Sequence, residues 1–261
     1  MEIHIEPIPC LRDNYAWLVR CEATGACALV DACEPAVAQK VGRLGGVGAV
    51  WSTHHHWDHV GGNLAMTEAF PGVDVLGHVS DRARIPGLTV ALEDGARFAL
   101  GLLSVEVLHV PGHTLGAIAY VVRGEHEAAV FTGDTLFSAG CGRLFEGTSA
   151  MMFASLSRLA ALGPETLVCC GHEYTESNLA FARHLEPTSS AVARRSDEVI
   201  ALRKAGRPTL PSTIGLERQT NPFLRCGSPE LRATLGLVEA DPVEDVEVFA
   251  ATRRLKDGFL G

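Results

Sequence analysis

Aromatic residues are scarce in this chain. They make up 6% of its 261 residues, so the core must lean on Ala, Val and Leu. Positive charge is also short: 22 basic residues face 31 acidic ones, for a net charge of −9. A surface of that sign excludes nonspecific binding to nucleic acid and to anionic membranes. No apolar run approaches the length that spans a bilayer. The first residues, Glu2-Ile3-His4-Ile5-Glu6, lack the basic start and long apolar stretch of an export signal, and a cytoplasmic chain is expected. Cys-x-x-Cys pairs are missing, although there are eight cysteines: Cys10, Cys21, Cys27, Cys33, Cys141, Cys169, Cys170 and Cys226. In a reducing compartment they are expected to be free and to pack as small hydrophobes. The serine-centred G-x-S-x-G turn of many hydrolases is absent as well.

What is present is an ordinary globular composition, 47% apolar and 20% charged. The length allows one large domain, or a medium one with an appendage. Charge points to the second arrangement. Residues 1–173 hold 10 basic and 19 acidic side chains, whereas residues 174–261 hold 12 of each. Short apolar strands bounded by Gly and charge fill the first part, at Ile3–Ile8, Tyr15–Val19, Ala26–Val30, Ala49–Ser52, Val73–Leu76, Val105–Val110, Ile118–Val122, Ala128–Thr132 and Thr166–Cys169. Helical spacing appears at Ala36–Leu44, Val60–Phe70 and Ala150–Leu162, and a strand meander is expected over roughly 88–132. This mixture predicts an α/β domain with a mixed sheet. Beyond 173 the strand signal fades. Tyr174–Leu185, Ala191–Ala205, Pro229–Leu235 and Val243–Leu255 predict a helical unit with Pro-rich connections.

The strongest local signal is Ser52-Thr53-His54-His55-His56-Trp57-Asp58-His59, between an apolar strand and a Gly-Gly helix start. In an extended segment His54 and His56 face the same way. Asp58 and His59 then enter the first helical turn. Two pairs of imidazole and carboxylate ligands suit two cations of the Zn, Fe or Mn type. Three further strand ends run into Gly-containing turns that carry a ligand: His113 in Pro111-Gly112-His113-Thr114, Asp134 in Gly133-Asp134-Thr135, and His172 in Gly171-His172-Glu173. Side chains gathered at strand ends in an α/β fold converge on one cleft. His55 and Trp57 alternate away and read as packing or loop residues. His4, His78, His109, His126 and His184 have no motif partner and read as structural or surface residues. Asp31, at the end of Ala28-Leu29-Val30, is either an acceptor for a metal-bound imidazole or a solvated strand-end carboxylate.

The set T-H-x-H-x-D-H, P-G-H-T, T-G-D-T and G-H-E-Y resembles the ligand set of the metallo-β-lactamase superfamily. Gly133–Thr148, Gly171–Leu179, Asn221-Pro222-Phe223-Leu224-Arg225 and Arg253-Arg254-Leu255-Lys256-Asp257 resemble its glyoxalase II (hydroxyacylglutathione hydrolase) branch, over essentially the whole chain. The resemblance implies an αβ/βα sandwich over residues 1–173 and a C-terminal helical, glutathione-binding domain over 174–261. It implies that His54, His56 and His113 hold one metal, that Asp58, His59 and His172 hold the second, and that Asp134 bridges both, with zinc the first expectation and iron or manganese the others. Asp58 and Asp134 are the implied catalytic residues; Arg143, Tyr174, Arg253 and Lys256 are the implied substrate contacts. Arg253 and Lys256, at i and i+3, share one helix face.

The implied reaction is hydrolysis of S-D-lactoylglutathione and related 2-hydroxyacyl thioesters, the second step of methylglyoxal detoxification. Two divalent cations acidify a bridging water, and the hydroxide attacks the acyl carbonyl. A thiolate leaves without full protonation, so no strong general acid is needed. A monomer acting on a small-molecule thioester, with no nucleic-acid or membrane partner, is expected. Relatives that carry Tyr at the position of Phe145 have a hydroxyl that this chain lacks. A glutathione persulfide dioxygenase with a single iron is the competing expectation; the complete second ligand set and the tail motifs count against it.

Overall fold

Two six-stranded sheets carry the first part of the chain. The structure is a computed structural model and describes residues 2–237 and 244–259. The first sheet runs in sequence order: β1 (Ile3–Cys10), β2 (Asn14–Cys21), β3 (Cys27–Val30), β4 (Ala49–Trp51), β5 (Asp74–His78) and β6 (Val90–Leu92). β1 to β3 pair antiparallel and β3 to β6 parallel. The second sheet begins with β7 (Arg97–Leu100), β8 (Leu103–His109), β9 (Ile118–Arg123) and β10 (Ala128–Gly133), all antiparallel. A small hairpin follows, β11 (Leu136–Phe137) with β12 (Gly140–Cys141). β13 (Leu167–Cys170) then joins β10 in parallel, and β14 (Ser212–Thr213) closes the edge.

Alternation along each strand serves both faces. In β2, Tyr15, Trp17, Val19 and Cys21 enter the core between the sheets. Ala16 and Leu18 enter the core outside the first sheet. β9 divides the same way, Ile118, Tyr120 and Val122 inward and Ala119 and Val121 outward. Fully buried strands of this kind need a helix layer on each side. α1 (Ala36–Arg43) supplies Val37, Ala38 and Val41 to the first layer, and α3 (Asn63–Ala69) adds Met66. α4 (Ser149–Ala160) supplies Met152, Leu156 and Leu159 to the second. The result is the expected αβ/βα sandwich. Trp17, Trp51, Tyr120 and Phe131 are all fully buried in the core between the sheets.

Beyond 173 come α5 (Thr175–Leu185), α6 (Ser190–Lys204), α7 (Ile214–Thr220), α8 (Pro229–Thr234) and α9 (Asp245–Asp257). Ser189, Thr213 and Ser228 cap α6, α7 and α8 by accepting a backbone N–H. Phe223, Leu231, Val248 and Phe249 pack into the same core as α4. Several expectations need correction. The meander over 88–132 is split, because β6 pairs with β5 in the first sheet and only β7 onward builds the second. The helix expected over Val60–Phe70 begins later, at Asn63 (α3): the separate turn α2 (Trp57–Val60) stops where Gly62 N–H donates to Ala32 O at 2.7 Å. The tail is not purely helical, since Ser212–Thr213 stitches it onto β13, and α7 was not expected. A two-residue strand is too short to show a period. Val243, the expected start of the last helix, lies outside the described residues.

Candidate metal centre

The sheets meet at one end, where Tyr15 N–H donates to Gly171 O at 2.8 Å and Ile118 N–H to Thr53 O at 2.9 Å. The loops leaving β4, β8, β10 and β13 are thereby brought together. His54 follows β4, and His56 is the extended N-cap of α2, so both rings point to one side. Asp58 and His59 lie in the first turn of α2. His113, Asp134 and His172 come from the other three loops.

Three groups of ligating atoms result, each lying within 4.8 Å of one another: His54, His56 and His113; His54, His59 and Asp134; and Asp58, His59 and His172. Asp134 stands between the histidines, its Oδ1 3.3 Å from His59 Nε2 and its Oδ2 3.3 Å from His172 Nε2 and 3.5 Å from His113 Nε2. Asp58 Oδ2 is 3.4 Å from His172 Nε2 and 3.7 Å from His59 Nε2. All seven residues expected from the sequence are therefore in one cluster. Gly171 is required beside it, because a Cβ there would lie 2.5 Å from Asp134 Oδ1.

The outward ring nitrogens are fixed. Nδ1 of His59 meets Asp31 Oδ2 at 2.9 Å, Nδ1 of His113 meets Arg143 O at 2.8 Å, and Nδ1 of His172 meets Asp13 Oδ1 at 2.8 Å. Thr53 Oγ1 lies 3.1 Å from His54 Nδ1 and itself donates to Asp31 Oδ2 at 2.8 Å. Such partners set the tautomer and turn each Nε2 inward. Asn14 Nδ2 donates to Asp58 Oδ2 at 3.1 Å. Asp31 is thus an imidazole acceptor, not a solvated carboxylate. Asp13 and Asn14 were not anticipated. Their one sequence signal is a polar pair between two apolar strands.

The residues fit divalent cations. Nε2 of His54, Nε2 of His59 and Oδ1 of Asp134 are buried without a hydrogen bond. Each such group costs about 1–3 kcal/mol unless something coordinates it. Burial, reinforced by neighbouring imidazoles, holds His54 well below its usual pKa and brings His56 to about 4, so both offer lone pairs at neutral pH. Burial opposes charge on Asp134 too, but His59 and His172 outweigh it and keep the carboxylate ionised. An imidazole and carboxylate set of this kind suits zinc, iron or manganese alike.

A groove of about 390 Å³ opens onto His113 and Asp134. Arg143, Tyr174, Arg253 and Lys256 all line it, with Phe137 and Phe145 as aromatic walls. Phe145 is 62% exposed and stands edge-on to His56 and His113, 5.4 and 5.2 Å away. Tyr174 stacks on His172 at 4.7 Å. Lys256 holds its ammonium over Phe181 at 5.1 Å and Phe259 at 5.6 Å. Arg143 is exposed. Arg253 is buried: it donates to Cys141 O at 2.9 Å and Asp257 Oδ1 at 2.9 Å, and lies over the Phe223 ring. Cys141 also lines the groove, but burial pushes its thiol up to about 11, which removes it as a nucleophile near neutrality. His55 turns away to Asp81, 3.1 Å distant.

Residues 11–172 match the model of the metallo-beta-lactamase superfamily, and residues 173–259 match that of the hydroxyacylglutathione hydrolase C-terminus. A hydroxyacylglutathione hydrolase of Methylococcus capsulatus is 50% identical over 99% of this chain and 100% of its own length. That of Rhodospirillum rubrum is 47% identical over 98% of this chain and 99% of its own length. The chain belongs to the hydroxyacylglutathione hydrolase family. Among solved structures, this hydroxyacylglutathione hydrolase family member resembles TTHA1623 in a di-iron-bound form, with 27% identity, a TM-score of 0.58, and coverage of 84% of this chain and all of that one. ETHE1 of Myxococcus xanthus covers 98% of both chains with a TM-score of 0.64, but at 24% identity it shares the fold alone.

Proposed function

We propose that this chain hydrolyses S-D-lactoylglutathione and related 2-hydroxyacyl-glutathione thioesters to a 2-hydroxy acid and glutathione. The observation that carries this reading is the groove: three cations, Arg143, Arg253 and Lys256, lead to the face where His113 and Asp134 meet. A glutathione thioester is an anion with its reactive carbonyl at one end, and the groove has that polarity. His54, His56 and His113 would hold one divalent cation, Asp58, His59 and His172 a second, and Asp134 both. When bound, such cations supply Lewis acidity, which acidifies water and polarises an acyl carbonyl. Asp58, steadied by Asn14, is placed to accept a hydrogen bond from the attacking water. Asp134 holds its negative charge between His59 and His172, which fixes its position. The exposed Arg143 and half-buried Lys256 take substrate carboxylates. Arg253 backs them from beneath, and the Tyr174 hydroxyl meets the peptide part. Phe145 walls the groove beside His56 and His113 and adds no hydroxyl contact.

Residues 1–173 then form a metal-bearing catalytic domain and residues 174–261 a glutathione-binding domain. Zinc is the first candidate metal. Eight free, buried cysteines fit a reducing cytoplasm, and no helix among the described residues is long and apolar enough to cross a membrane. A monomer is proposed, to be checked by light scattering. The test of the activity is an assay of metal-analysed protein with S-D-lactoylglutathione, run beside oxygen uptake with glutathione persulfide. Thioester loss with about two metals per chain supports the reading. Oxygen uptake without thioester loss would replace it with the single-iron dioxygenase.

A further inference from the structure

The hairpin between β11 and β12 is too short to hold itself. Its two strands are two residues each, and Ala139 at its turn has φ +55°, which is costly for a residue with a Cβ. Yet its backbone is held at every residue from 137 to 141, and each holding side chain comes from the helical unit. Asn221 Nδ2 donates to Phe137 O at 3.1 Å and Gly140 O at 2.9 Å. Asn178 Nδ2 donates to Ser138 O at 3.0 Å. Glu217 Oε2 accepts from Ala139 N–H at 2.7 Å. Arg253 donates to Cys141 O at 2.9 Å.

Glu217 is the unusual member. It is 0% exposed, yet among the described residues it has no cation partner. Its donors are neutral: Ser212 Oγ, Asn221 Nδ2 and the Ala139 amide. Burial pushes its carboxyl above the usual range, and these donors offset that only in part. A buried carboxylate satisfied this way is an expensive means of stability, since an apolar side chain would fill the space more cheaply. Its placement makes sense if the position of Ala139 matters.

The two ends of the hairpin show why it would. Asp134 lies two residues before β11. After β12 comes Gly142, whose N–H donates to Thr135 O at 3.3 Å, and a Cβ there would overlap the Asp134 carbonyl oxygen. Next is Arg143, whose carbonyl accepts from His113 Nδ1 at 2.8 Å and so turns His113 Nε2 inward. The hairpin therefore connects Asp134 at its entry to the orienting partner of His113 at its exit.

We propose that Glu217 and Asn221 are positioning residues: from the helical unit they hold the 137–141 hairpin, and through it Asp134 and His113, in the arrangement the reaction needs. This rests on the proposed function for its purpose, but its test does not need the thioester. The helical unit then has a second task besides carrying groove residues.

The test compares zinc-loaded wild type, Asn221→Ala, Glu217→Ala and Ser228→Ala, each challenged with a chromogenic chelator. Ser228 is the control. It caps α8 and bonds Glu186 in the same helical unit, and among the described residues it makes no bond to the hairpin. Asn221→Ala and Glu217→Ala should lose zinc about tenfold or more faster than wild type, as for groups that orient a ligand. Ser228→Ala should lower the melting temperature and leave zinc loss at the wild-type rate. Wild-type zinc loss in both hairpin variants, or equal acceleration in Ser228→Ala, would overturn the proposal. Hydrogen exchange on the wild type decides the matter if the variants do not fold. The Ala139 amide should be protected as well as that of Phe223, which is bonded to Asn221 Oδ1. Exchange at the rate of a free loop amide would overturn the claim. Failure of thioester hydrolysis in a protein that passes these tests would strike the proposed activity alone.

Discussion

The two parts of the chain treat charge in opposite ways. Residues 1–173 concentrate the acidic excess, and where carboxylates enter the cluster they do so to hold imidazoles and cations: Asp13 on His172, Asp31 on His59, Asp134 between His59 and His172. Residues 174–261 carry no net charge, yet they bring Arg253 and Lys256 to a groove at the edge of that acidic body. An anionic thioester would be repelled by the acidic excess of the first part, and under the proposed function Arg253 and Lys256 would offset that locally. On the same reading the first part would activate the thioester, and the second would bind its carrier together with Arg143 of the first.

The sharpest way to break this comparison is at Asp134. Asp134→Ala removes the carboxylate shared between the ligand groups, and both metals should be lost together. Turnover should fall by more than the ~100-fold typical of groups that only orient a ligand. Elemental analysis with steady-state kinetics checks it, and normal metal content would end the bridging assignment. Asp31→Asn comes next. It disturbs two bonds to Thr53 and one to His59 without touching a proposed metal. Metal affinity should drop about 10–100-fold, measured by competition with a chelator.

The binding side should respond differently. Lys256→Ala should raise KM about tenfold, the effect of losing a charged contact of about 1–3 kcal/mol, while kcat changes less and metal content stays intact. A pH effect accompanies it. Burial, with Arg253 nearby, lowers the Lys256 pKa to about 8. A lysine carries its charge below its pKa and loses it above. Wild-type kcat/KM for the free enzyme should therefore fall as pH rises through about 8, and Lys256→Ala should lack that limb. The smallest effect is expected for Phe145→Tyr. A hydroxyl added at the exposed ring edge should lower KM by a few-fold at most, in line with about 1 kcal/mol for a neutral hydrogen bond.

The difference between the two parts also explains what could be read in advance. Every residue of the cluster was legible because each sits in a short segment at a strand end, beside a His or Gly spacing that lets several side chains approach closely. The sandwich was legible because its strands are buried on both faces and show it in composition. The supports were not. Asp13 meets His172 across 159 positions of chain, and Glu217 meets Ala139 across 78. Nothing local marks such pairs, since only packing brings them together. Arg253 shares its helix face with Lys256 as the i, i+3 spacing suggested, but spacing could not show that Cys141, Asp257 and Phe223 occupy its guanidinium. The edge strand Ser212–Thr213 escaped notice because two residues have no period.

The central claim is that the metal-bearing part acts on the thioester carbonyl while the helical part recognises the glutathione carrier. The most direct measurement compares kcat and KM for S-D-lactoylglutathione with those for S-D-lactoyl-N-acetylcysteamine, which keeps the reacting thioester and lacks the charged peptide. The account predicts that wild type hydrolyses both, prefers the glutathione thioester mainly through a lower KM, and loses about tenfold of that preference in Lys256→Ala. Equal KM values for the two thioesters on the wild type, or no hydrolysis of either by metal-loaded protein, would contradict it.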